Sequence, residues 1–316
     1  MRKNSPPKRF WDLVRRTGQA WGQDRIPRQA AALAFYTSFT VAPLLLLGLG
    51  AAGLLFGEEK AQRHVVGQLT SLVGPAAAGA LQDLAFAARR SDGSLWAAFA
   101  GIIALLFGAS GVFAELQTSL NIIWKVRKKA GRGVLGMLRD RFLSFSMVAG
   151  TGFLLLVTLL FSAALELLGS QVRGWDSDLA LVKVLHQVVD FGVVAGLVAC
   201  LFRILPDAKT RWRDLWPGAL LTSLLFTLGK HFIGLYLGRT SVTSAYGAAG
   251  SFIVVLLWIY YSSQIFLLGA EFTRVSAEQW GQGARPDADA VRVSEGVPNG
   301  APRGNSRNKT PSRAIG

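Results

Sequence analysis

From Gln29 through Gly57 the chain runs without one charged side chain, and that stretch limits what it can fold into. Crossing roughly 30 Å of hydrocarbon takes about 20 helical residues. A run this long, preceded by a basic segment and followed by no A-x-A cleavage site, reads as a retained membrane span, kinked at Pro43 where the helix loses a hydrogen bond. Further apolar runs follow near 95–114, 142–165, 185–205, 215–237 and 250–270, giving six in all. The sequence therefore predicts an all-α, polytopic membrane protein: a bundle of six transmembrane helices with short interfacial helices and a disordered C-terminal tail. Composition agrees, since only 17% of residues are charged against roughly 25% in ordinary soluble domains. Three regions result: a basic amphipathic segment over 1–28, the membrane domain over 29–275 and the tail over 276–316.

The formal net charge of +15 invites a nucleic-acid reading, so the placement of the charges decides. Lys and Arg retained on the cytoplasmic side set the orientation of a polytopic chain. The alternate connections 1–28, 115–141, 203–214 and 271–316 hold 26 of the 34 basic residues, and the opposite connections hold seven. Both termini are then expected in the cytoplasm. Because aromatic residues are not interleaved with the basic ones, no nucleic-acid partner is expected.

Several chemistries find no support. The single cysteine, Cys200, allows neither an intramolecular disulfide nor a cysteine-based zinc cluster, and His64, His186 and His231 make no HxxxH pattern. No GxxxxGK[ST] stretch is present, so ATP drive is not expected, and for want of a paired nucleophile and base or a metal-ligand set no metal or other cofactor is expected and the chain reads as a non-enzyme.

Two segments look interfacial. In FWDLVRRTGQAWG, Phe10 to Gly22, the residues Phe10, Val14 and Trp21 fall near one helical face. His64 to Arg90 breaks at Gly74-Pro75 into two short helices, each too short to span. The pairs Gly53 and Gly57, Gly192 and Gly196, and Gly234 and Gly238 have the spacing at which helix backbones approach closely.

GASGVFAELQTSLNIIWKV (108–126), SAYGAAGSFIVVLLWIYYSSQIFLLGAEFTRV (244–275) and DRIPRQAAALAFYTSFTVAPLLLL (24–47) together resemble the diagnostic segments of the YihY/BrkB family of bacterial inner-membrane proteins. The likeness covers roughly 24–280. It implies a six-helix protein of the cytoplasmic membrane, associated in some members with virulence. Members have also carried the label ribonuclease BN, but a metal-dependent ribonuclease needs clustered ligands in a wet site, and this sequence offers none.

Ionisable groups inside spans are expensive and so are candidates for function. His186 and Asp190 share a face of the fourth span at i, i+4, while Lys230 and His231 interrupt the fifth; Asp190 and Lys230 are placed to pair across antiparallel helices. The competing reading of Lys230 is snorkelling to the interface on its long stem. Toward the cytoplasm, Glu115, Asn121, Arg203 and Glu271 form a candidate charge lattice or gate. At the start of the sixth span, Gly247, Gly250 and Ser251 fit either a plain packed helix N-terminus or a broken helix beginning whose amide groups face an anionic ligand. The expected function is a transporter or flippase-like protein for an anionic amphiphile or envelope lipid, with membrane lipids as partners. A non-catalytic scaffold or envelope assembly factor, working through a homo-oligomer or a protein partner, is the alternative.

Overall fold

The computed structural model describes residues 6–57, 63, 66, 67, 69, 70, 73–89, 95–129, 180–239, 248–281, 283–287 and 290–292. The expected span at 142–165 lies outside the described residues. Helices α1 (Pro6–Gln23), α2 (Ile26–Phe56), α3 (Pro75–Arg89) and α4 (Leu95–Ile123) come first, then strand β1 (Val126–Lys128). Helix α5 (Ala180–Ile204), strand β2 (Ala208–Lys209), helices α6 (Trp212–Arg239) and α7 (Ala248–Trp280), and strands β3 (Arg285–Pro286) and β4 (Ala290–Arg292) complete the order. The other five expected spans all fall on helices.

The last long helix, α7, is the hub: it packs on α1, α2, α3, α4 and α6. Its antiparallel contact with α6 is closed by a reciprocal device. A Cβ on Gly218 would overlap Thr273, and one on Gly269 would overlap Thr222. Each threonine in turn donates its hydroxyl to the facing glycine's counterpart one turn back on its own helix, Thr222 to the Gly218 carbonyl and Thr273 to that of Gly269, both at 2.7 Å. Glycine lets the backbones close, and the threonine hydroxyls occupy the space a Cβ would take. Helices α2 and α4 meet in the same way, with Gly108 against Thr40 and Gly111 against Tyr36. By contrast Gly57, Gly192 and Gly196, expected at packing contacts, meet nothing within 4 Å among the described residues. Spacing alone does not say which glycine finds a partner.

Two apolar clusters lie along this bundle. One gathers Ile26 and Leu33 of α2, Leu120 and Ile123 of α4, Phe202 of α5, Leu215 of α6 and Leu267 of α7. The other joins α2, α3 and α7 through Ala34, Ala77, Ala78, Leu81, Val254 and Ile259. Helix α3, expected at the interface, is thus part of the core. Its alanines are too weakly hydrophobic to mark a span, yet small enough to fit closely. Helix α1 is amphipathic: Leu13, Thr17 and Ala20 are buried against the bundle, α1 packs on α7, and Phe10, Trp11 and Val14 stay exposed.

Outward faces are apolar. Trp216, Leu220, Leu224, Leu228 and Phe232 recur every four residues along the exposed side of α6, and Phe35 and Phe39 stack edge to face on α2 with centroids 5.0 Å apart. Among the described residues, Ile26–Leu46 and Ala249–Trp280 are long and apolar enough to cross a membrane, and Phe191–Ile204 is a shorter apolar stretch.

The expected tail from 276 onward needs correction over its first part. Helix α7 continues to Trp280, β3 pairs antiparallel with β2 (Ala208 with Pro286), and β4 pairs antiparallel with β1 (Val126 with Arg292). Composition rich in Gly, Pro and Arg hid a segment whose backbone hydrogen bonds are completed by two distant loops.

Candidate functional site: a polar junction at one end of the bundle

At the end of the bundle where α1 hands over to α2, the chain turns through Asp24 and Arg25. The α1 ladder closes with Asp24 N–H donating to the Ala20 carbonyl, and Arg25 takes a left-handed conformation with φ 52°. Helix α4 ends similarly: Lys125 has φ 54° and donates its N–H to the Ile122 carbonyl. Residues with a Cβ adopt this conformation at a cost of about 1–2 kcal/mol. Here the two turns are tied together, because the Lys125 ammonium donates to Asp24 Oδ1. Gln29 on the first turn of α2 reinforces this by donating its amide to the Asp24 carbonyl.

Glu271 reaches the same place from α7. Its side chain is 0% exposed, and Arg274 donates from both Nε (3.2 Å) and a terminal amine (3.0 Å) to Oε2. Arg274 also binds Glu278 at 3.0 Å, one turn further on. A charged carboxylate at such a depth persists only with partners of this kind.

Beside this group Asn121 of α4 holds the turn after α5. Its Nδ2 donates to Asp207 Oδ2, and its Oδ1 accepts from the Asp207 N–H, both at 2.8 Å. Lys128 on β1 donates to Gln117 at 3.1 Å and lies 3.9 Å from Asp207. The Asp207 carbonyl accepts from the Asp287 N–H, which links the network to the segment after α7. Arg203 stands apart, its guanidinium 5.6 Å from the centre of the Trp212 ring. Glu115 is half-buried on α4, outside the junction.

Of the four residues expected to form a lattice here, the structure brings Asn121 and Glu271 into the junction. Asp24, Lys125, Asp207 and Arg274, which sequence reasoning passed over, complete it. A signal existed for Asp24, since an acidic residue three positions before a Pro in a helix's first turn marks a helix start. None existed for the pairing of Asp24 with Lys125, 101 residues apart.

The other candidate groups lie toward the opposite end. His186 and Asp190 are on α5 and His231 is on α6; their side chains are outside the described residues. Lys230 is half-buried, and its carbonyl lies against Gly74, whose φ of +84° forms the turn into α3. Gly250 and Ser251 are buried in the first turn of α7, while Gly247 is outside the described residues. The Ser251 hydroxyl donates to Asp83 Oδ2 of α3 at 2.9 Å, so the anion at this helix start is the chain's own carboxylate. The Tyr261 side chain, midway along α7, packs on Gly229 of α6. Among the described residues no three His, Cys, Asp or Glu side chains gather as a metal site would require.

Long apolar helices, closed by glycine contacts and faced outward with Leu and aromatic side chains, define a helical membrane protein. The chain matches the family described as virulence factor BrkB over residues 17–294, and it belongs to that family. It is 31% identical over 255 residues to a UPF0761 membrane protein of Stenotrophomonas maltophilia strain R551-3, covering 79% of this chain and 57% of the relative. It is 29% identical over 267 residues to a UPF0761 membrane protein of Methylibium petroleiphilum, covering 82% of this chain and 61% of the relative. The chain thus spans about three fifths of the length of these relatives. No solved structure matches it.

Proposed function

We propose that the chain is a six-helix protein of the bacterial cytoplasmic membrane, with both termini in the cytoplasm, that moves an anionic amphiphile such as an envelope lipid between leaflets. The sixth helix is assigned from the apolar run at 142–165, and the orientation from the distribution of Lys and Arg. One observation carries the transport reading. Lys230 is half-buried in the second half of an apolar helix, at the place where the Gly74-Pro75 turn closes on α6. A cation there, next to His231 and with His186 and Asp190 on the adjoining α5, supplies the chemistry that a phosphate or carboxylate headgroup requires. The outward Leu row of α6 offers a surface for the acyl chains. This reading assigns the protein no catalytic step.

Native mass spectrometry of gently extracted protein tests it, comparing wild type with Lys230→Met and with Lys129→Met as a surface control. A lipid-sized anionic adduct lost only in Lys230→Met is the expected outcome. Equal adducts in all three would sink the transport reading and favour a membrane scaffold that acts through protein partners. Lys230→Met and Asp190→Asn are further expected to abolish complementation of a null strain while leaving folded protein in the membrane.

A further inference from the structure

Among the described residues, the two carboxylates at the centre of the junction each keep one buried oxygen that accepts no hydrogen bond. Asp24 Oδ2 and Glu271 Oε1 are enclosed and lack a donor among the described residues, and the two carboxyl groups interact directly. Their side chains are 7% and 0% exposed. An ionised carboxylate only accepts hydrogen bonds, so two of them in contact repel. A single proton between them turns the contact into a hydrogen bond and satisfies both orphaned oxygens. We propose that Asp24 and Glu271 form a binding site for one exchangeable proton, and that its occupancy decides whether the α1–α2 turn stays docked on α7.

The surrounding charges suit a proton. Lys125 occupies Asp24 Oδ1 from the end of α4, Arg274 occupies Glu271 Oε2 from α7, and Glu278 shares Arg274. These are three carboxylates against two cations, so one proton brings the set to neutrality. A metal ion fits poorly, because it needs several oxygen ligands while the outer oxygens here already face cations. Asp12 and Arg16 of α1 form an exposed pair, Arg25 and Arg28 are exposed, and Asp207 is engaged by Asn121 and Lys128. The neutral neighbour is Gln29, whose Oε1 is a further buried acceptor without a donor.

Loss of the proton would leave two negative charges in contact and away from water. The easier movement belongs to Asp24, which sits on a short turn beside the left-handed Arg25, whereas Glu271 is fixed inside a long helix. The turn should therefore lift and carry α1 with it. This inference does not depend on Lys230 or on transport.

Difference infrared spectroscopy on the purified full chain in lipid nanodiscs, stepped from neutral to alkaline pH, provides the test. Wild type is expected to lose one protonated-carboxyl carbonyl band, and that band should be missing at every pH from Asp24→Asn and from Glu271→Gln. In both variants an amide N–H donates permanently to the remaining carboxylate. Tryptic cleavage after Arg25, normalised to cleavage after Arg292, should then quicken with pH in wild type and stay slow in both variants. Should the variants fail to fold, wild type alone decides: band loss and faster Arg25 cleavage must share one midpoint. A band that persists in both variants, no such band in wild type, different midpoints, or a band that responds to added sodium, potassium or magnesium chloride at fixed pH would each overturn the proposal.

Discussion

Helix α7 meets its neighbours by different means at its two ends. Near Ala248 it lies on α2 and on the alanines of α3, and the polar contact described there is the single hydrogen bond from Ser251 to Asp83. Near Trp280 it joins a network of buried charges drawn from the α1–α2 turn, the end of α4 and its own last turns. Lipid offers helices no hydrophobic drive to associate, so the first end depends on closeness of fit. The second depends on partners being present, since a buried charge without one is far worse than no charge at all. A helix bundle can thus hold one end by shape and the other by charge, and the two should fail under different changes.

The comparison breaks most sharply at Glu271. Glu271→Ala removes one side of a buried pair and leaves Arg274 without its shielded partner, an expected loss of about 3–5 kcal/mol read as a lower thermal midpoint of the extracted protein. Less severe is Gly269→Val, two residues before Glu271, which drives a Cβ into Thr222 where α6 lies against α7 and should cost roughly 1–3 kcal/mol. A midpoint unchanged by that substitution would mean that α6 and α7 are not held by their reciprocal glycines. Smallest is Ser251→Ala, expected to cost about 0.5–1.5 kcal/mol because Asp83 keeps access to solvent. If Ser251→Ala destabilises as much as Glu271→Ala, the contrast between the two ends is wrong.

The parts of this fold that were legible in the sequence depend on runs of one chemistry. Membrane character, the family and five of the helices follow from uncharged stretches and from three quoted segments. The burial of α3 was not legible, because Ala77, Ala78 and Ala85 signal neither a span nor a surface until a partner is known. Small-residue spacing misled for a related reason. Gly192 and Gly196 have the right interval and meet nothing within 4 Å among the described residues, while a Cβ on Gly218 or Gly269 would overlap a threonine of the opposite helix. At the junction, Glu271 and Asn121 announced themselves as polar residues at span ends. Their partners Asp24 and Asp207 sit in turns, where acidic residues are common enough to pass without notice.

The pairing of Val126 with Arg292 and of Ala208 with Pro286 has a consequence for how the chain is made. Translation delivers the loops after α4 and α5 long before residues 285–292 leave the ribosome, and neither loop has its final backbone partner until then. This end of the bundle must therefore be inserted open and closed last, as a box is shut by a flap cut from the far side of the same sheet. Any interruption of synthesis between Trp280 and Arg292 would release a chain with its helices in place and two loops still awaiting their strands, a natural mark for quality-control proteases.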